Sequence, residues 1–136
     1  MNAGTLFASG PSGIGVGGVF FKAADPAALR AWYERVLGIE MQDWNGTAFL
    51  PAPMAAQPGA ATILSFFPAD TDYFQPSEKP FMVNLAVDDL AGILAAAKAH
   101  GVEPVRAIDD QPYGRFAHIV DPEGTILELW EPKATD

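Results

Sequence analysis

Residues 114–132 read Gly-Arg-Phe-Ala-His-Ile-Val-Asp-Pro-Glu-Gly-Thr-Ile-Leu-Glu-Leu-Trp-Glu-Pro. Two extended runs, Arg115 to Val120 and Thr125 to Trp130, flank the tetrad Asp121-Pro122-Glu123-Gly124. Proline at the second turn position has its φ preset for a type I turn, and glycine at the fourth enters the left-handed region without a Cβ clash. The stretch is a β-hairpin. With Gly124 left-handed, Asp121 pairs with Thr125, and counting back along both strands sets His118 opposite Glu128. Directly opposed residues share a sheet face, and alternation puts Phe116 and Trp130 on that face too.

Working outward, the hairpin ends the second of two similar halves. Asp25 matches Asp88, Gly38 matches Gly101, Glu40 matches Glu103, and Thr62-Ile63-Leu64 matches Thr125-Ile126-Leu127, each at an offset of 63 residues. A constant offset across separated islands indicates two copies of one supersecondary unit. Each copy opens on an apolar strand, Val16 to Ala23 and Phe81 to Val87. After Asp25 and Pro26, the spacing of Leu29, Trp32, Tyr33, Val36 and Leu37 describes an amphipathic helix that Gly38 stops. In the second copy Asp88 or Asp89 caps a helix through Leu90, Ile93, Leu94 and Ala97, which Gly101 stops. About three strands follow each helix. Pro51, Pro53 and Pro58 point to an edge or loop in the middle of the first copy.

The expected organisation is a loose tail over 1–14 and one domain over 15–136. Module one covers 15–67, a proline-bearing linker 68–79, and module two 80–132. The fold class is α+β. A composition of 49% hydrophobic and 18% charged residues belongs to a globular chain. A formal charge of −9 with eight Lys and Arg excludes the positive surface that nucleic acid requires. There is no cysteine, so disulfides, thiolate metal sites and cysteine nucleophiles are excluded, and a reducing cytoplasm fits. No basic cluster precedes an apolar run near the N-terminus and no stretch has membrane-spanning length, so no membrane association is expected. The glycine-rich Ser9 to Gly18 precedes a strand rather than following one, which excludes a dinucleotide loop. Asp70, Asp72 and Glu78 lack calcium-loop spacing and read as solvated linker charges.

The opening Gly-Val-Phe-Phe-Lys-Ala-Ala-Asp-Pro with Trp-Tyr-Glu-Arg-Val-Leu-Gly-Ile, and the ending quoted first, resemble the two ends of a vicinal oxygen chelate domain. That superfamily includes glyoxalases, bleomycin-resistance proteins and extradiol dioxygenases. The resemblance spans Val16 to Pro132 and implies two tandem βαβββ modules, a curved mixed sheet around a cavity, and pairing of chains as a homodimer. It also implies, in metal-dependent members, a His or Gln on a module's first strand and a Glu on its last, holding one divalent ion. Glu128 matches that glutamate. Its counterpart in the first module is Ser65, and the histidine positions fall at Gly18 or Val19 and at Phe81 or Met82, none of which suits a hard cation. Glu128 is thus the only matching ligand position, and no metal or other cofactor is expected, with a divalent ion recruited through His118 as the alternative.

A carboxylate among Ile126, Leu127, Leu129 and Trp130 needs a partner, since an unpaired buried charge is costly. His118 or Arg115 could supply it, and a His118–Glu128 pair could act as acid and base. His100, at a helix end, reads as structural. Phe20, Phe66, Tyr113, Phe116 and Trp130 are expected to line the cup and bind ligand. The leading functional expectation is a metal-independent protein binding a small aromatic or cationic molecule. The alternatives are a lyase, isomerase or dioxygenase-type enzyme using Glu128 and His118, or a module serving assembly alone.

Overall fold

The computed structural model describes residues 10–134; residues 1–9, which carry most of the expected tail, and residues 135–136 lie outside the described part. Helices α1 (Pro26–Leu37) and α2 (Pro51–Ala56) precede strand β1 (Val83–Ala86), helix α3 (Leu90–Ala99), and strands β2 (Asp109–Gln111), β3 (Gly114–Val120) and β4 (Ile126–Pro132). The strands form one mixed sheet in the order β1-β4-β3-β2. β1 runs parallel to β4, and the β2–β3 and β3–β4 pairs are antiparallel.

Local chemistry accounts for the long helices. Asp25 caps α1 by accepting from the Ala28 amide at 3.1 Å, Pro26 occupies the first turn, and Gly38 closes the helix at φ 65°. Asp89 caps α3 in the same way through the Gly92 amide at 3.0 Å. Both helices cover one face of the sheet. Trp32, Val36 and Leu37 of α1 and Leu90 and Ala97 of α3 bury against Ala117, Ile119, Leu127 and Leu129. Polar links fix α1 to the hairpin turn: the Tyr33 hydroxyl donates to Asp121 at 2.7 Å, and the Glu123 carboxylate accepts from the Ala24 and Asp25 amides.

The second half realises the expected strand, helix and three strands. The first does not. Val16 to Phe20 are exposed, and neither the 16–23 run nor the Thr62-Ile63-Leu64 island joins the ladder. Gly17 and Gly18 raise the entropic cost of ordering the first of these, and its backbone has no strand beside it to repay that cost. The middle of the first half also differs from expectation. Pro51 and Pro53 sit in the short helix α2 rather than an edge or loop, because a helix's first turn has no use for the amide that proline lacks. No helix among the described residues is long and apolar enough to cross a membrane.

Candidate functional site on the open sheet face

The face of the sheet turned away from the helices carries the chemistry. Its hairpin turn forms through Gly124, at φ 86°, donating to the Asp121 carbonyl, and through the Asp121 amide donating to the Thr125 carbonyl at 2.9 Å. That register makes His118 the direct partner of Glu128 and Phe116 the partner of Trp130. The parallel ladder adds Asn84 beside Glu128 and Ala86 beside Trp130.

Glu128 is buried yet fully partnered. His118 Nε2 lies 2.8 Å from Oε2, the Tyr73 hydroxyl donates to the same oxygen at 2.5 Å, and Asn84 Nδ2 donates to Oε1 at 2.8 Å. Burial works to raise the carboxyl's pKa, but the hydrogen bonds from His118, Tyr73 and Asn84 outweigh it and hold Glu128 below the ordinary carboxylate range. An ionised carboxylate only accepts, so His118 donates through Nε2, and its buried Nδ1 has no partner among the described residues. Burial pushes the Tyr73 phenol strongly upward, and its hydrogen bond to Glu128 adds to that shift.

Tyr73 comes from the linker, which folds across this face. Its ring stacks on Phe67 at 5.6 Å, meets the His118 ring edge-on at 4.8 Å, and lies 4.7 Å from the Arg106 guanidinium carbon. Two open depressions lie along residues near it in the fold. One of about 650 Å³ runs along Gln75, Arg106 and Asp109, and another of about 560 Å³ runs along Phe67, Lys79 and Phe81.

Of the aromatic residues expected to line the cup, Phe116 and Trp130 stack in parallel at 6.1 Å, and half-exposed Tyr113 meets Phe116 edge-on at 5.7 Å. Phe20 and Phe66 are not brought to Glu128; they are 94% and 89% exposed, on runs that join no sheet. Arg115 pairs across the ladder with Glu131, one residue out of phase with the Glu128 face, so it does not hold Glu128. His100 caps the exposed end of α3, and Asp70, Asp72 and Glu78 are exposed.

The β1 residue beside Glu128 is Asn84, and by the offset of 63 its first-half counterpart is Phe21. A lone polar residue inside Phe81-Met-Val-Asn-Leu-Ala-Val was the available signal. Tyr73 gave none, because it stands in a turn-rich segment 55 residues from its partner. A divalent ion does not fit this donor set. The one carboxylate is saturated by internal donors, the imidazole nitrogen nearest it is spent on it, and Ser65 is exposed; no group of three or more His, Cys, Asp or Glu among the described residues could hold a metal.

A helix layer on a β1-β4-β3-β2 sheet, with a buried glutamate on the last strand of its open face, defines a βαβββ unit of the glyoxalase type. The chain belongs to the glyoxalase-like domain family, whose sequence profile matches residues 18–129, and with it to the vicinal oxygen chelate superfamily. A solved structure described as a conserved domain protein is similar to it at a TM-score of 0.50 and 14% identity, over 82% of this chain and 92% of that one. A glyoxalase/bleomycin resistance protein from Catenulispora acidiphila gives a TM-score of 0.42 and 24% identity, over 80% and 90%. No curated protein matches the chain.

Proposed function

We propose that this protein binds a small aromatic or cationic molecule on the open sheet face, without a metal ion, and works in the cytoplasm as a homodimer. The observation that carries this reading is the saturation of Glu128 by His118, Tyr73 and Asn84. A resident cation would have to break those bonds. The partly exposed Phe116 ring, stacked on buried Trp130 beside the carboxylate, gives a flat apolar surface next to a fixed negative charge, which suits an aromatic ring or an organic cation. A general base works best with a pKa near the working pH, whereas Glu128 is held below the ordinary range, so binding ranks above acid–base catalysis. Pairing of two chains is supported by the exposed Ile14, Val19, Phe20, Ile63, Leu64 and Phe66, an apolar set that a second chain would cover.

Elemental analysis of purified protein, before and after incubation with nickel, zinc, manganese or iron and desalting, tests the metal-free reading. The expected result is no retained metal. Near-stoichiometric metal that falls in Glu128→Ala would overturn it in favour of a metal-dependent lyase or dioxygenase. A thermal-shift screen of aromatic and cationic compounds then tests binding, and a screen without a single stabilising compound counts against it.

A further inference from the structure

The group seated on Glu128 is a side chain of the inter-module linker. Tyr73 is half-buried, and its hydroxyl donates to Glu128 Oε2. Phe67 stacks against its ring, the guanidinium of exposed Arg106 lies over it, and the His118 ring meets it edge-on. Its carbonyl also accepts from Arg106 Nη2 at 3.3 Å, and its amide donates to Thr71 Oγ1 at 3.2 Å. The backbone hydrogen bonds from 68 to 77 are local turns, Thr71 to Pro68, Gln75 to Asp72 and Ser77 to Phe74, and none joins the sheet. Beyond Tyr73 the linker is tied to the hairpin by the Lys79 ammonium on the Thr125 hydroxyl at 2.7 Å. Tyr73's neighbours Arg106 and Phe67 each line an open depression, one beside Gln75 and Asp109 and one beside Lys79 and Phe81.

We infer that Tyr73 is an internal stand-in for the ligand, and that the ligand is a small, neutral, monohydroxylated aromatic compound which displaces Tyr73 from Glu128. The inference rests on the small-molecule binding reading above and narrows it. An ionised carboxylate accepts and does not donate, so the incoming group must bring a proton to donate, and a hydroxyl on a flat ring reproduces the Tyr73 donor. The flanking Phe67 ring and Arg106 guanidinium accept a flat π face, and the stacked Phe116 and Trp130 rings extend the same preference further along the sheet. A phenol makes the bonds that Tyr73 makes. Wild-type protein must surrender its own hydrogen bond to bind one, so its affinity is reduced by the fraction of molecules in which Tyr73 is seated.

The test is calorimetric titration of the full chain with 4-methylphenol, the tyrosine side chain as a free molecule, with toluene and benzyltrimethylammonium as comparisons. The expected result is weak binding of 4-methylphenol to wild type and binding at least about tenfold tighter to Tyr73→Ala, from which a competing hydrogen bond to a charged acceptor is gone. Toluene should bind neither form measurably. Tyr73→Phe keeps the ring and loses the hydroxyl; it should fall between the two, and it decides the matter if Tyr73→Ala loses its circular-dichroism signature of folding. Equal affinity of wild type and the folded variant for 4-methylphenol, or toluene binding as well as 4-methylphenol, overturns the inference. If benzyltrimethylammonium binds and 4-methylphenol does not, the displacement idea falls while the binding reading stands. If no probe binds any form, the inference falls, and the wider compound screen alone decides the binding reading.

Discussion

His118 and Glu128 are direct cross-strand partners on β3 and β4, and their side chains close a 2.8 Å contact between Nε2 and Oε2. Both are buried, so the bond is shielded from water. A donor to an ionised acceptor contributes about 1.5–3 kcal/mol. His118→Leu should therefore lower unfolding stability by roughly that amount in urea titrations. The double variant His118→Leu/Glu128→Leu should cost less than the sum of the single ones, because it leaves no orphaned charge. Strict additivity would mean that the two side chains do not interact.

The acid limb of stability should report Glu128. Its pKa is lower folded than unfolded, so the unfolded chain binds more protons as pH falls below the ordinary value of 4.5. The stabilisation is complete above that value and is lost as pH falls through the folded pKa. Glu128→Gln has no proton to exchange at this site and should show a shallower loss between about pH 5 and 2. Superimposable acid limbs for variant and wild type would remove Glu128 from the account.

At the alkaline end the sign reverses. Burial raises both Tyr33 and Tyr73, aided by their hydrogen bonds to Asp121 and Glu128. A phenol with a raised folded pKa contributes stability that is whole below the ordinary value of 10.0 and declines as pH rises beyond it. Tyr33→Phe and Tyr73→Phe should each flatten part of that decline in equilibrium unfolding followed from pH 9 to 12. The Tyr33 effect should be separable, since Tyr33 bonds to the hairpin turn and Tyr73 to the open face.

Gly114, at the start of β3, has φ 148°, and a Cβ built there would meet Trp130 Nε1 and the Glu131 carbonyl. Gly114→Ala should destabilise the chain by about 1–3 kcal/mol, from backbone strain and displacement of the Trp130 indole. That indole donates to the Tyr113 carbonyl at 3.2 Å and stacks on Phe116. The expected readout is a lower urea midpoint together with an altered Trp fluorescence spectrum. A spectrum and midpoint like those of wild type would show that the strand start gives way at no cost.

The sequence by itself determined what short-range chemistry controls. The Asp-Pro-Glu-Gly turn fixed the β3–β4 register and the face shared by His118, Glu128, Phe116 and Trp130, because turn geometry sets pairing within a few residues. Asp25, Pro26 and Gly38 bounded α1 for the same reason. Only the tertiary structure decided what meets across distance. It brought Tyr73 and Asn84 onto Glu128 across 55 and 44 residues, a result of how linker and parallel strand pack rather than of any local preference. It also left the 16–23 run and the Thr62-Ile63-Leu64 island outside the sheet, although their composition suits strands. A strand is stable only beside another strand, and whether a neighbour is present is a property of the assembled fold rather than of the segment.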